Sequence, residues 1–405
     1  MANARAGRLR VLTAAAAALC TAAGLGGAVA GSAAAAPGAR ETGEVHGADS
    51  PDAIPGSYLV LLEDEQMSAR EARTNADDLA ESYDAEVERT YNTAIQGFAA
   101  RMSEQDASEM AADPSVRYVE ANQEVRLSAT QTNPPWGLDR IDQVNLPLDG
   151  DYRYFTTASN VNAYVIDTGI DVTHQEFDGR AQVGTDTVGD GRNGRDCHGH
   201  GTHVAGTIGS ETYGIAKDVN LHGVRVLDCD GSGTTLSVVQ GIEWVTENAV
   251  RPAVANMSLG GRVDTILDEA ITNSIASSVT YAVAAGNEGR NACTSSPARV
   301  PGALTAGATD NSDTRAGFSN FGRCVDMFAP GVGIRSTVPG GTRMYSGTSM
   351  SSPHVAGAAA MILAWHPRWS PAQVAERMIS NATVGVVRAL GRGSPNLLLH
   401  KAPQP

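Results

Sequence analysis

Residues 161–169 read VNAYVIDTG, a nearly continuous apolar run that ends in a carboxylate and a glycine turn. The same pattern recurs in residues 220–227, 253–259 and 280–285. Strands that are apolar along their whole length, rather than at alternate positions, are typical of a parallel sheet covered on both faces. These stretches therefore predict an α/β fold with a parallel central sheet.

Helical stretches accompany these strands, and we predict them at residues 203–208, 236–249, 264–277 and 349–365. Strands that alternate with helices place the helices on both faces of the sheet. Ligands of such sheets bind beyond the carboxyl ends of the strands. Asp167 and the turn Ala285-Gly286-Asn287 both fall at such ends, which makes them candidate site residues.

Composition divides the 405-residue chain into two unequal parts. The length suggests two or three domains, and 42% hydrophobic with 19% charged residues is enough for a packed core. Residues 37–128 carry 20 acidic residues against 7 arginines, a net charge of −13, whereas residues 129–405 carry only −5. A total charge of −15 without a basic run argues against nucleic acid as a partner.

The N-terminus has the pattern of a secretory signal peptide. Arg5, Arg8 and Arg10 precede an uncharged run, residues 11–36, that is mostly alanine and glycine with small-residue cleavage sites. The alternative is a membrane anchor, but alanine and glycine are weakly apolar, and no second stretch of spanning length occurs in the sequence. Residues 1–36 are therefore predicted to be removed from a secreted, extracellular protein that has no membrane partner. Cys20 is lost with them.

The acidic segment, residues 37–128, has its own pattern of elements. Strands are predicted at residues 57–62, within 91–101 and through 116–125, and helices at 69–83 and 104–112. The order β-α-β-β-α-β is that of a small α+β ferredoxin-like domain, with a core of about residues 56–127. No catalytic constellation falls within this segment.

Three motifs carry the chemistry: Asp167 in VIDTGID, His200 in HGHGTHVAG and Ser349 in SGTSMSSPHVAG. A serine hydroxyl becomes a nucleophile when an imidazole accepts its proton, and the imidazole needs a carboxylate to fix its tautomer. Ser349 also stands at the start of an apolar helix, whose first free N–H groups favour negative charge and can donate to an oxyanion. The three residues together predict acyl transfer.

On these motifs, residues 129–405 resemble the subtilisin-like serine proteases, and within them the proteinase K and aqualysin subfamily. The motifs occur in that family's order, Asp, His, Ser. The resemblance implies a secreted serine endopeptidase that acts on proteins and peptides. It also implies that Asn287 in AAGNE is the side-chain donor of the oxyanion hole, beside the N–H of Ser349.

The same resemblance implies how substrate binds. An extended peptide would add as a strand between two edge segments through main-chain hydrogen bonds, which predicts broad specificity. These segments are Gly231-Ser232-Gly233 and Ser258-Leu259-Gly260. The pocket before the scissile bond would be lined by Ala284, Ala285 and Gly286. Because these three are small and uncharged, we expect a preference for large apolar or aromatic residues there.

The resemblance to this subfamily also implies a disulfide pairing and two calcium sites. Four cysteines allow three pairings, and the resemblance implies Cys197 with Cys229 and Cys293 with Cys324. Five oxygen-bearing side chains fall within 13 residues, namely Asp139, Asp142, Gln143, Asp149 and Asp151. Calcium takes roughly six to eight oxygens, so this cluster nearly fills a site, although an acidic solvated loop would look the same. The resemblance implies structural calcium there, and a second site at Asp326 with the carbonyls of Pro301 and Ala303.

The acidic segment resembles the propeptide of these proteases, an intramolecular inhibitor and folding assistant. Its tail, residues 124–128, would lie in the substrate cleft like a product, and the mature enzyme would begin near Ala129. We expect the cut within a residue or two of Ala129. We expect self-processing and a monomeric mature enzyme.

Two other functions are compatible with parts of the sequence. A zinc-dependent hydrolase could use His198, His200 and His203, since zinc in enzymes binds three protein ligands and a water. Glycines at 199 and 201, however, suit a tight turn into a helix better than a rigid chelate. A protease-like binding protein without turnover is the other alternative, and the complete triad argues against it.

Overall fold

A computed structural model describes residues 42–48, 53–64, 67–123 and 129–401, which form two compact units. The predicted signal peptide, residues 1–36, and the predicted propeptide tail, residues 124–128, lie outside the described residues. Within the described ranges, none of the helices has both the length and the apolar character that a membrane crossing requires.

The N-terminal unit is built around a five-stranded sheet with the strand order β1-β5-β2-β4-β3. Its elements are β1 (Val45–His46), β2 (Ala53–Leu62), α1 (Ala69–Ser82), β3 (Glu86–Asn92), β4 (Gln96–Arg101), α2 (Glu104–Met110) and β5 (Val116–Gln123). Each helix begins after a serine whose hydroxyl accepts a first-turn N–H, Ser68 from Glu71 and Ser103 from Asp106. From β2 to β5 the order is the predicted β-α-β-β-α-β.

One detail of this unit differs from the prediction. Residues 91–101 read as a single strand-like stretch, but they contain the end of β3 and all of β4, which pair antiparallel with Asn92 opposite Gln96. The residue pattern typical of a strand continues across the turn, so hydrophobicity alone does not reveal where the turn lies.

The second unit contains most of the strands. They are β6 (Ala129–Thr132), β7 (Asp151–Tyr154), β8 (Asn162–Asp167), β9 (Ala181–Asp186), β10 (Asn220–Arg225), β11 (Ala253–Met257), β12 (Gly261–Arg262), β13 (Val279–Ala284), β14 (Ser295–Ser296), β15 (Leu304–Thr309), β16 (Met327–Pro330), β17 (Ile334–Val338), β18 (Gly341–Tyr345), β19 (Thr383–Val384) and β20 (Leu397–Leu398). Nine of them form the central sheet, in the order β19-β20-β16-β15-β13-β11-β8-β10-β9. Within this sheet, each strand from β9 along to β20 is parallel to its neighbour, and β19 is antiparallel to β20.

Helices cover both faces of this sheet, as the sequence predicts. They are α3 (Trp136–Ile141), α4 (His200–Gly209), α5 (Thr235–Asn248), α6 (Thr265–Ala276), α7 (Thr348–Trp365) and α8 (Pro371–Asn381). Alternate residues of β8 enter different cores. Ala163 and Val165 join the cluster that contains α4 and α7, whereas Tyr164 and Ile166 join the cluster that contains α5 and α6. Burial on both sides explains why this strand is apolar along its whole length.

The carboxyl ends of β8, β11 and β13 are neighbours in the sheet, because β11 pairs with β8 on one side and with β13 on the other. Asp167 is the last residue of β8, Ser258 follows β11, and Asn287 lies in the turn after β13. Parallel strands present their carboxyl ends at a common edge, so the candidate residues gather there.

Candidate active site

Asp167 is fully buried at the end of β8, where a carboxylate requires charge or hydrogen-bond partners. Its Oδ1 accepts the N–H of Thr168 at 2.8 Å and lies 2.7 Å from Nδ1 of His200. This contact assigns the proton to Nδ1 and leaves Nε2 as the basic nitrogen. The carboxylate therefore fixes the tautomer that a general base needs.

His200 is the first residue of α4, three residues earlier than the predicted helix start. The helix can approach β8 closely because Gly201 has no side chain, since a Cβ there would lie 2.1 Å from the carbonyl oxygen of Gly169. Burial lowers the pKa of His200, but the charge and hydrogen bond of Asp167, with a contribution from Asp196, raise it above its ordinary value. His200 is 21% exposed, so a substrate can reach it.

Asp196 was missed by the sequence analysis, and it organises the loop that leads into α4. Its Oδ1 accepts hydrogen bonds from the Thr168 hydroxyl and from the N–H groups of His198 and Gly199. Its Oδ2 accepts the N–H and hydroxyl of Thr202 at 2.9 and 2.5 Å. An aspartate just before a glycine turn is a recognisable loop signal, because its carboxylate can bind nearby N–H groups.

Ser349 lies in the first turn of α7, and the proline in its motif shapes its surroundings. Pro353 has no N–H, so it cannot donate to the carbonyl of Ser349 four residues earlier. The hydroxyl of Ser258, just after β11, donates to that carbonyl instead, at 2.8 Å. The Ser349 hydroxyl donates to the carbonyl of Ser258 at 3.1 Å, so a rotation about its χ1 bond would be needed to direct it to a base. This reciprocal pair fastens the serine to the sheet edge.

Asn287 presents a free N–H donor beside Ser349. Its Oδ1 accepts the N–H and hydroxyl of Thr348 at 2.8 and 3.0 Å, and the same hydroxyl accepts the N–H of Gly286 at 3.1 Å. A Cβ at Gly347 would lie 3.6 Å from Asn287 Nδ2 and 3.7 Å from both Asn287 Oδ1 and the N–H nitrogen of Ser349, so the two nitrogens lie near one another beside Gly347. Asn287 and Ser349 both line the same cavity. Such a pair can stabilise an oxyanion.

Two cavities adjoin these residues. The larger, of about 620 Å³, is lined by His198, His200 and both predicted edge segments, Gly231, Ser232, Gly233, Ser258, Leu259 and Gly260. The smaller, of about 180 Å³, is lined by Ala284, Ala285, Gly286 and Asn287 together with Ser349. The structure thus brings all the predicted substrate-contacting residues to one cleft.

The smaller cavity also has a charged lining residue that the sequence analysis did not name. Glu288 also lines it, and its Oε2 accepts a hydrogen bond from the Asn320 amide at 2.8 Å. Half of the Glu288 side chain is exposed. Because Glu288 directly follows Asn287, the AAGNE motif itself contained this signal.

The structure pairs Cys197 with Cys229 and Cys293 with Cys324, the pairing that the resemblance implies. The first disulfide joins the loop before His200 to the loop before Gly231. It therefore connects the candidate base to one wall of the cleft.

Three of the five predicted cation ligands come together. Asp139, Asp142 and Asp149 offer carboxylate oxygens that lie within 4.8 Å of one another, the only such group of His, Cys, Asp or Glu found in the described ranges. One oxygen of Asp139 and one of Asp142 are buried without a hydrogen-bond partner, and burial raises the pKa of Asp142 to about 6. Buried, unpartnered carboxylate oxygens are suitable ligands for a hard cation.

The other two predicted ligands, Asp151 and Gln143, lie outside this group of three. Arg153 pairs with both Asp149 and Asp151, at 2.8 and 2.9 Å, and Gln143 Oε1 accepts the N–H of Asp149 at 3.0 Å. At the second predicted site, Asp326 accepts the N–H of Thr305 at 2.7 Å, and burial raises its pKa to about 6. The predicted carbonyl partners, Pro301 and Ala303, lie in the turn before β15.

The three histidines proposed as zinc ligands do not form a metal cluster among the described residues. His203 is fully buried, and its Nε2 contacts the carbonyl oxygens of Ile334 and Arg343 at 3.0 and 3.1 Å, which makes that nitrogen a donor. The rings of His198 and His200 are 6.1 Å apart between centroids. The geometry therefore gives no support to zinc hydrolysis.

Comparison with known protein families gives two matches. Residues 159–397 match the Subtilase family, and residues 57–128 match Peptidase inhibitor I9. The first match spans every strand of the central sheet and the residues of the cleft.

Individual proteins agree with these matches. An extracellular serine proteinase from Thermus sp. (strain Rt41A) is 50% identical over 87% of this chain and 91% of its own length. Alkaline serine exoprotease A from Vibrio alginolyticus is 45% identical, covering 87% of this chain and 68% of its own. The crystal structure of a cold adapted subtilisin-like serine proteinase is 51% identical with a TM-score of 0.66, covering 67% of this chain and 100% of that one.

The Asp167–His200 contact predicts the titration of His200. We expect NMR of the His200 ring to give a pKa above about 6.5, the ordinary value for histidine. Asp167→Asn removes the charge that raises this pKa while burial remains, so the pKa should fall. Asp178→Asn, at an exposed aspartate of the same unit, should leave it unchanged. An unchanged or higher His200 pKa in Asp167→Asn would contradict the assignment.

Proposed function

The chain belongs to the subtilase family and is a subtilisin-like serine endopeptidase with an I9-type propeptide, and from this we propose that Ser349, His200 and Asp167 are its catalytic triad. The observation that carries the proposal is the 2.7 Å contact between His200 Nδ1 and the buried carboxylate of Asp167. That contact leaves Nε2 as the basic nitrogen of His200, and His200 and Ser349 line two cavities that share residues 258–261.

Acylation begins when the Ser349 hydroxyl turns from the Ser258 carbonyl toward His200 Nε2. His200 accepts the hydroxyl proton as the oxygen attacks the peptide carbonyl, and Asp167 stabilises the imidazolium that results. His200 then gives the proton to the leaving amine as the C–N bond breaks. In the second half, His200 takes a proton from water as the water attacks the ester, and it then gives that proton to the Ser349 oxygen as the acid is released.

The oxyanion formed at each step would lie between Asn287 Nδ2 and the N–H of Ser349. Both nitrogens lie beside Gly347 before substrate arrives, and both residues line the smaller cavity. Donors fixed in advance stabilise the developing charge without reorganising during the reaction. Losing one such donor typically lowers kcat by about 100- to 1000-fold.

We propose that substrate lies extended between Gly231-Ser232-Gly233 and Ser258-Leu259-Gly260. Side chains of an extended peptide alternate in direction. The residue before the scissile bond would therefore enter the 180 Å³ cavity, and the residue before that would face the 620 Å³ cavity near His198. Main-chain pairing supports broad specificity, because it does not depend on the side chains.

The smaller cavity predicts the preference at the residue before the scissile bond. Ala284, Ala285 and Gly286 leave room for a large apolar or aromatic side chain, and the charge of Glu288 is offset in part by Arg290, whose Nε lies 3.7 Å from its Oε2. A peptide library read by mass spectrometry should show cleavage mainly after Phe, Tyr, Leu or Met. Strict cleavage after Arg or Lys would instead show that Glu288 controls the pocket.

We propose that calcium binds at Asp139, Asp142 and Asp149, with backbone carbonyls or waters completing the ligand set. A cluster of acidic residues that can hold a metal is present, and its unpartnered buried oxygens suit a hard cation. The ion would neutralise carboxylates that burial disfavours. A second calcium at Asp326, Pro301 and Ala303 is proposed from the resemblance and from the buried Asp326 carboxyl.

Calcium removal should destabilise the mature enzyme. A ligand at about 100 times its Kd stabilises a protein by about 2.7 kcal/mol, so chelation should lower the Tm by several degrees. Asp142→Asn should abolish most of this response, and it should not lower the Tm of the chelated protein, because the buried charge is gone. Asp178→Asn serves as the exposed control. A Tm that does not change on chelation would contradict the site.

We propose that residues 1–36 are a signal peptide, 37–128 the propeptide and 129–405 the peptidase domain. The I9 match at residues 57–128 supports residue 128 as the C-terminal end of the propeptide. The relative named as an extracellular proteinase supports secretion. The propeptide would inhibit its own enzyme until the chain cuts itself near Ala129. We expect the mature enzyme to act as a monomer.

Self-processing can be tested with Ser349→Ala, which removes the nucleophile. This variant should accumulate as the signal-free precursor, visible by intact-mass measurement, whereas the wild type yields a chain that starts near Ala129. Ser346→Ala, three residues away on the same approach to α7, should process normally. Normal processing of Ser349→Ala in purified protein would show that Ser349 does not make the cut.

A further inference from the structure

Asn320 lies in the loop between β15 and β16, is fully buried and makes four side-chain hydrogen bonds, all to the turn that carries Asn287. Its Nδ2 donates to the Ala285 carbonyl at 2.9 Å and to Glu288 Oε2 at 2.8 Å. Its Oδ1 accepts the N–H groups of Glu288 and Arg290 at 3.2 and 2.9 Å. An amide has two N–H donors and an oxygen with two lone pairs, so this turn uses its whole capacity.

These partners fix the orientation of the amide. If the side-chain amide of Asn320 were rotated by 180°, its NH₂ group would face two N–H donors, and its oxygen would face a carbonyl and a carboxylate. The backbone of Asn320 adds a fifth contact, since its N–H donates to the Gly286 carbonyl at 2.9 Å. The turn is therefore bound to Asn320 both before and after Asn287.

The approach of Asn320 to the turn is also close. Gly286 has a φ of +99°, and a Cβ there would lie 2.3 Å from Asn320 Nδ2. A side chain at position 286 would therefore have to displace the Asn320 amide. The glycine in AAGNE is required by this contact as well as by the backbone conformation.

The side chain and the backbone of Asn287 are held by different residues. Thr348 holds Oδ1 and thereby aims Nδ2 at the space beside Ser349. Asn320 holds the backbone on which this side chain stands. A displacement of about 1 Å in a catalytic group can lower the rate roughly 100-fold, so the support of the backbone matters for turnover.

We propose that Asn320 is a positioning residue of the oxyanion hole. It touches no substrate and acts by fixing the turn from which Asn287 donates to the oxyanion. Changes at Asn320 therefore lower kcat while substrate affinity is kept. This inference rests on the proposed function, and specifically on Asn287 as an oxyanion donor.

The test is Asn320→Asp, which keeps the shape and the acceptor but replaces the donor with an oxygen facing the Ala285 carbonyl and the Glu288 carboxylate. We expect kcat on a peptide p-nitroanilide to fall by about 10- to 100-fold, with KM changed by less than about twofold. Binding of a peptide aldehyde, whose adduct with Ser349 carries the oxyanion, should weaken by the same factor as kcat. Asn320→Ser should act in the same direction without adding charge.

The matched control is Asn291→Asp, at an exposed asparagine just after the turn, where an aspartate can still accept the N–H of Cys293. It should leave kcat within about twofold of the wild type, because the Asn287 backbone keeps its supports. A fall in kcat as large as that of Asn320→Asp would show that added charge, rather than lost support, lowers the rate.

A double-mutant cycle separates positioning from a general structural role. In an Asn287→Ala background the donor is absent, so Asn320→Asp or Asn320→Ser should change kcat by less than about twofold. If each lowers kcat by its full factor in that background, or raises KM instead of lowering kcat, the positioning role is wrong while the triad stands. If Asn287→Ala alone leaves kcat unchanged, the oxyanion assignment fails and the role of Asn320 fails with it.

Discussion

The hydrogen bond between the buried carboxylate of Asp167 and Nδ1 of His200 requires β8 and α4 to lie close together and the loop before α4 to be fixed. A carboxylate inside a protein is costly unless it is paired, so β8 must end within reach of α4. Gly201 permits that approach, because any side chain there would collide with the Gly169 carbonyl. Asp196 then binds the N–H groups of the loop before α4, which holds His200 at the distance that the contact needs.

The other proposed site residues are held by the same principle, in which a buried polar group is satisfied by a neighbour from a different element. Pro353 leaves the Ser349 carbonyl without a helical partner, and Ser258 at the end of β11 supplies one. Thr348 and Asn320 do the same for the turn that carries Asn287. Reactive groups that stand on such fully bonded supports keep their geometry during the reaction.

The central strands and the contact between Asp167 and His200 could be predicted from the sequence, whereas several supporting features could not. Residues 161–167 form an apolar run that only a two-sided parallel sheet buries. β15, with the sequence LTAGAT, was missed because it has few bulky residues, and the ring of Phe328 packs where a side chain at Gly307 would lie. Asn320 was missed because its contacts with the turn that carries Asn287 join two loops that no local pattern connects. Asp196 has a local loop signal, but its contact with Thr168 depends on the folded structure.

Covalent labelling tests the central claim most directly, that the Asp167–His200 pair activates Ser349 as a nucleophile. A fluorophosphonate probe should inactivate the mature enzyme, and peptide mapping by mass spectrometry should find one label per molecule, on Ser349. Asp167→Asn should slow both labelling and turnover, by up to about 10,000-fold in turnover if the wrong tautomer forms. Full proteolysis in the presence of saturating probe, or a label on another residue, would contradict the account.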